Sequence, residues 1–513
     1  MDTVTEPSPE VAPAMSFRQR IALALIVLGL VASVLVLVLL AVWQLPTGIA
    51  GQWEWPWRSD DLSCHPVVRL VPFMALIPLL ILLRSLARPS VSRRLAAGLI
   101  AACCLGTGAN MLLLQMREPL PVLHVAESTA SAMTTGSFSY ATALSGLGPV
   151  LRAMSGRPEQ APYMPIRVAT HPPGPVVYYY LGLRLFDHLP GLTSAVERWV
   201  ASYEGLTPHI FHRTARWHAM PSLKAEHMAP AFVLGLLLTL LGALLPVPVY
   251  FAAKALHGPR TGLVAAWCTM LLPSLTGFIP SIDGWGAVLA VTPVALWLVA
   301  LRDRRPWLYA LAGLGMAAAV FWSVGLIAVA VAMAAAAVPS WRDRQQRRQS
   351  VAGVALALGA FAVVWLVMYV ATGYNLPYNI REMLHNQAGE MGFYERSYWA
   401  WLPGNLWEIV LFMGPALLGA ALAVLPMLPR LPVTARHFAA GAFLALGLVW
   451  LSGSTLGEVG RIWLFLMALL MPGAAMALTE LDGRPLRPLL VLLALSQTLL
   501  MVMLHCRLVL VHP

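Results

Sequence analysis

Arg461 opens an apolar run, and Glu458 stands three residues before it. That spacing puts both side chains on one helix face, where they pair, or where the guanidinium grips a phosphate through two parallel donors. At a bilayer edge an arginine snorkels cheaply; at the centre it costs about 2.5–3.5 kcal/mol on insertion scales. Asp283, in Pro280-Ser281-Ile282-Asp283, precedes the apolar run Trp285–Leu301. A first-turn acid is favoured by the helix dipole, and at a membrane face it also suits orienting an acceptor or a metal. His171 lies in Thr170-His171-Pro172-Pro173-Gly174-Pro175, where it suits a phosphate or sugar contact, or simply caps the helix that the prolines begin. The stretch Tyr374–Trp407 carries His385, Tyr394 and Arg396 among amides and tryptophans. That mixture suits sugar rings and hydroxyls, and equally an interfacial aromatic belt.

Four acids are candidates for a general base: Glu127, Glu118, Asp60 and Asp61. A carboxylate beside a desolvated hydroxyl is tuned toward neutral pKa and takes its proton. Plainer roles compete: a solvated helix face for Glu127, an ion pair beside Arg117 for Glu118, and loop anchoring beside Arg58 for Asp60-Asp61. The histidines of 187–227 lack the i, i+4 pairing with a carboxylate that a helical zinc site uses.

The elements that must position these groups are apolar. Of 513 residues 59% are hydrophobic and 11% charged, with mean hydropathy +0.72. A soluble domain is nearer half apolar and a quarter charged, which excludes a soluble enzyme, a disordered chain and a fibrous one. The apolar residues fill many continuous runs, so the fold class is an all-α, polytopic transmembrane helical bundle of about 12–14 spans, with helices lying on the surface in the outer loops. The net charge is +11, with Lys224 and Lys254 the only lysines. Arginine clusters between apolar runs read as the positive-inside signal rather than a nucleic-acid footprint. The five cysteines read as packed thiols. The run Ile21–Trp43, preceded by Arg18 and Arg20, reads as an uncleaved first span with a cytoplasmic start.

On this pattern the sizeable outer segments are 44–66, 117–171 and 372–408. One inconsistency stays open between 116 and 254. The runs Val176–Phe186 and Ala229–Ala253 make two crossings where an odd number is needed, so either the first does not fully cross or 187–227 re-enters. No internal repeat stands out, which disfavours a transporter of inverted halves.

Thr135-Gly136-Ser137-Phe138 followed by Thr170-His171-Pro172-Pro173-Gly174, then Pro280-Ser281-Ile282-Asp283, then Ser452–Phe465 ending at Pro472, occur in this order. Together they resemble the GT-C class of polytopic glycosyltransferases, nearest its protein O-mannosyltransferase and lipid A aminoarabinose transferase branch. The resemblance implies four regions: a cytoplasmic tail over 1–20, an added pair of spans over 21–94, a GT-C-like core over 95–475 and a C-terminal span over 476–513. It further implies inverting transfer of a sugar from a polyprenyl-phosphate donor to a hydroxyl of a lipid, glycan or protein acceptor, on the outer face of the cytoplasmic membrane. Arg461 and His171 would then hold phosphate, Asp283 would orient the acceptor or a divalent cation, and an outer-loop acid would be the base. Relatives carry that base as an Asp upstream of the Thr-Gly element; here 117–127 holds no Asp, which leaves the four acids above. The competing readings are a lipid-linked glycan flippase and a GT-C-like protein without catalysis.

Overall fold

The computed structural model describes residues 15–43, 47–58, 66–88, 90–132, 134, 136–155, 164–393, 395–481 and 486–510. Asp60, Asp61 and Tyr394, like Thr135, lie outside the described residues. The chain is an all-α polytopic bundle. Among the described residues the only sheet is a two-stranded hairpin, Gly48–Ile49 against Trp53–Glu54.

Nine helices of the described residues are long and apolar enough to cross a membrane, or ten if the pair Tyr398–Met413 and Pro415–Arg430, bent by 103°, counts as one span. The expected 12–14 spans exceed that number, since several of the apolar runs form shorter helices. Pro306–Trp322 and Leu464–Glu480 have 17 residues each, and the apolar stretch 263–279 is split between Pro259–Met270 and Pro273–Gly277. Proline at each break removes a helical hydrogen bond and sets a new start.

The open crossing is resolved by length. Gly174–Asp187 has 14 residues, about 21 Å of helix, too short for a hydrocarbon core of about 30 Å. Ala225–His257 is a candidate span of 33 residues, made of Met228–Gly242 and Pro246–His257 with a turn between them. By length, one candidate span lies between Gln115 and Lys254, and Gly174–Asp187 is not one.

The two ends differ in chemistry. At the basic end the Arg260 guanidinium donates to the Arg88 carbonyl, and Arg302 donates to the Lys254 carbonyl. His257 and Glu480 pair there at 3.1 Å, and Gln19 reaches the Glu480 carbonyl. The opposite end carries the hairpin and the helices of the 117–224 and 374–397 segments. Cys506 at that end is disulfide-bonded, which corrects the packed-thiol expectation for it; Cys103, Cys104 and Cys268 are free thiols.

Leu464–Glu480 is the axis of the bundle, every residue from Leu464 to Leu478 being buried. A helix apolar all round belongs in such a centre. At the rim the pattern inverts: Arg344–Thr372 buries Ser350 and Gly353 and exposes Val351, Leu358, Val363, Leu366 and Val370. Small residues face protein and large apolar ones face lipid, as expected where lipid and leucine are equally apolar. Phe17–Val42 packs on Pro415–Leu422 through glycines. A Cβ on Gly29 would lie 2.5 Å from the Pro415 carbonyl oxygen, and one on Gly419 would lie 2.7 Å from that of Leu25.

Candidate functional site

The cavity of interest opens where three helix ends meet. Trp322 closes Pro306–Trp322, and its indole Nε1 donates to the Ile282 carbonyl at 2.9 Å, tying that end to the start of Ile282–Asp303. After Trp322 the chain makes a 3-10 turn, Val324–Ala328, before resuming as Val329–Ala337. This break, the segment 454–465 and the helix Leu376–Phe393 enclose a cavity of about 350 Å³.

Arg461, Glu458, Asp283, Arg396 and His171 all line it. Arg461 is shared. Its Nε lies 3.2 Å from the Asp283 carboxylate and its Nη2 lies 3.1 Å from Glu458. Ser281 caps the helix at the Asp283 backbone N–H, and its hydroxyl donates to the Asp283 carboxylate at 2.8 Å. Glu458 meets two further guanidiniums, Arg396 at 3.2 Å and Arg167 at 3.8 Å. Burial alone would raise the Glu458 carboxyl, but Arg461, Arg167 and Arg396 outweigh it and hold it below the usual range. The Arg396 side chain is 3% exposed and lies over the Trp53 ring at 5.2 Å, so the hairpin backs the cavity. His171 holds its Nδ1 2.8 Å from the Arg167 carbonyl, an acceptor only, so that nitrogen carries the hydrogen. The facing wall is apolar: Trp322, Leu326, Ile462 and Phe465.

The loop that delivers Glu458 and Arg461 is held from one helix. In Tyr398–Met413, Asn405 accepts from the Gly457 N–H and donates to the Thr455 carbonyl, and Glu408 accepts from the N–H groups of Glu458 and Gly460. These clamps hold Glu458 at φ +61, a backbone state that side-chain-bearing residues rarely take. Gly457, at φ +84, sits against Trp401, where a Cβ would approach the ring to 2.8 Å.

Other expected residues lie elsewhere. Glu127 does not line the cavity; it is half-buried near Thr214 and His218, where burial raises its carboxyl and the Thr214 hydrogen bond only partly offsets that. Glu118 is bonded to Arg58; burial pushes its carboxyl up, but the Arg58 hydrogen bond and His124 outweigh it and hold it low. His385 is exposed and does not line the cavity. Sequence reasoning missed Arg167, Asn405 and Glu408. Arg167 stands four residues before His171, a helical spacing that was available as a signal. Glu408 is the one charged residue of a largely apolar 16-residue helix, the usual mark of a functional or structural polar group.

Among the described residues no three His, Cys, Asp or Glu side chains gather to hold a metal ion. At the cavity the two lining carboxylates already face three guanidiniums, a donor set that disfavours a second strong cation. A divalent cation does not fit these residues.

A solved structure of the Archaeoglobus fulgidus oligosaccharyltransferase, in complex with zinc and sulfate, is similar to this chain at 13% identity and a TM-score of 0.35. The match covers 76% of this chain and 53% of that one, so the chain spans about half the length of the structure it matches. A likeness this distant carries no inference about chemistry. No family model matches the chain, and no curated protein matches it.

Proposed function

We propose that this chain is a membrane glycosyltransferase of the GT-C type, moving a sugar from a polyprenyl-phosphate donor to an acceptor hydroxyl with inversion. The observation that carries this reading is the cavity in which Arg461, Arg167 and Arg396 converge opposite an apolar wall. Guanidinium groups match phosphate oxygens in planar, paired fashion, and an apolar wall accepts the lipid that the phosphate bears.

Asp283 takes the role of general base, in place of the outer-loop acids expected from sequence. It lines the cavity and is ion-paired to Arg461 alone, whereas Glu458 is surrounded by three cations. A donor phosphate entering beside Arg461 draws that guanidinium away. Asp283 is then left with the Ser281 hydroxyl, and its carboxylate is open to the acceptor hydroxyl. The Asp283 carboxylate accepts the acceptor hydroxyl proton as the oxygen attacks the sugar's anomeric carbon. The bond to the phosphate oxygen breaks, and the lipid phosphate leaves with the electron pair, its charge held by Arg461 and Arg167.

The site faces the exterior of the cytoplasmic membrane in this reading. The disulfide of Cys506 at the cavity end supports that side, since such bonds persist in oxidising compartments. So does the gathering of Arg88, Arg260, Lys254 and Arg302 at the other end.

The test is sugar transfer in membranes carrying Asp283→Asn, Arg461→Lys or Glu127→Gln. Loss with the first two and retention with the third is expected. Full activity in Asp283→Asn and Arg461→Lys would overturn the assignment.

A further inference from the structure

A second cavity, of about 210 Å³, lies at the opposite end of the helix that begins beside Asp283. Ile282–Asp303 has 22 residues, about 33 Å of helix, so the two cavities sit one bilayer core apart. Arg304, Ser340, Gln346 and Gln349 supply its polar side, and Leu301 and Leu356 its apolar side. Four separate segments build it: the end of Ile282–Asp303, the start of Pro306–Trp322, the 3-10 turn Val338–Trp341, and the start of Arg344–Thr372.

We infer that this cavity binds the phosphate headgroup of an anionic phospholipid, with an acyl chain leaving along Leu356 onto the apolar face of Arg344–Thr372. Charge is the first reason. Arg304 stands exposed on its wall, while the nearby acids are committed: Asp303 is bonded to Arg302, and Asp343 accepts from the N–H groups of Gln345 and Gln346. Composition is the second. Arg304 offers a forked cation, and the amides of Gln346 and Gln349 offer neutral donors, a set that suits a phosphodiester. Surroundings are the third. The exposed Val351, Leu358 and Val363 show that Arg344–Thr372 presents its outer face to lipid, so an acyl chain needs no aqueous crossing to arrive. Basic pockets between membrane helices at such a boundary recognise lipid headgroups through the same combination of charge and donors.

The experiment uses the full chain purified in a zwitterionic detergent and titrated with phosphatidylglycerol, with phosphatidylcholine of matched acyl chains, or with inorganic phosphate, bound molecules being counted by native mass spectrometry. One phosphatidylglycerol is expected to be held about tenfold more tightly than phosphatidylcholine, with inorganic phosphate failing to displace it. Arg304→Asn suits the left-handed backbone at that position, φ +55, and Gln349→Glu places a negative charge on an exposed wall residue. Each is expected to weaken phosphatidylglycerol binding by about fivefold or more, the worth of one interfacial cation. Arg347→Gln and Arg348→Gln, which remove charge outside the cavity, are expected to leave it nearly unchanged. Equal retention of the two lipids would overturn the proposal, as would equal weakening by all four variants. Displacement of phosphatidylglycerol by inorganic phosphate would assign the cavity to free anions and overturn the lipid as its ligand.

Discussion

Glu408 holds the backbone N–H of Gly460, the residue before Arg461, at 2.9 Å from its carboxylate in the interior of the protein. Its other oxygen takes the N–H of Glu458. A buried acid spends both oxygens on a loop, and that loop carries the cavity's shared arginine. Replacement by alanine leaves two buried N–H groups unpaired, at about 1–3 kcal/mol each. Glu408→Ala is expected to lower the melting temperature and abolish transfer, while Glu408→Gln, which keeps one acceptor, retains part of both. Differential scanning fluorimetry alongside the transfer assay checks this; wild-type behaviour of Glu408→Ala would refute the clamp.

Gly457 answers to two demands at once, a positive φ and contact with Trp401. A side chain there is strained by backbone conformation and by the ring together, about 1–3 kcal/mol from the first alone. Gly457→Ala is expected to destabilise by at least that much. The double variant Gly457→Ala with Trp401→Leu should recover only the part due to the ring, so a thermal-melting cycle separates the two.

The carboxyl of Glu458 is held below its usual range by three guanidiniums. A depressed folded pKa adds stability that is complete above the unfolded value, about 4.3, and is lost as pH falls through the folded value. The stability difference between the wild type and Glu458→Gln should therefore be constant from neutral pH to about pH 5 and shrink below about pH 4. Melting temperatures across that range read it directly. A difference that grows on acidification would contradict the network.

Glu118 is bonded to Arg58, away from the cavity. Glu118→Gln is expected to cost about 1–2 kcal/mol of stability, between the values of exposed and buried pairs. Transfer per folded molecule should be unchanged. A large loss of turnover with no shift in melting would instead restore Glu118 as a catalytic candidate.

Much of the architecture was legible in the chain. Continuous apolar runs broken by arginine clusters can only be packed as helices, because no backbone polar group in lipid goes unpaired. Arg461, Glu458, Asp283 and His171 were also legible, since charge beside an apolar run is costly enough to be informative. The number of long spans was not. Whether Gly174–Asp187 crosses depends on where a helix stops, and the stops come from packing, as where Trp322 ties itself to Ile282.

The sequence by itself determined that this is a many-helix membrane protein with charged groups waiting at helix ends, because hydropathy and charge spacing act locally along the chain. Only the tertiary structure decided that Asp283 and Glu458, 175 positions apart, share one arginine, and that Glu127 and Glu118 turn to other partners. Contacts between distant segments are set by how helices pack and where they break, and no local pattern of residues encodes those distances.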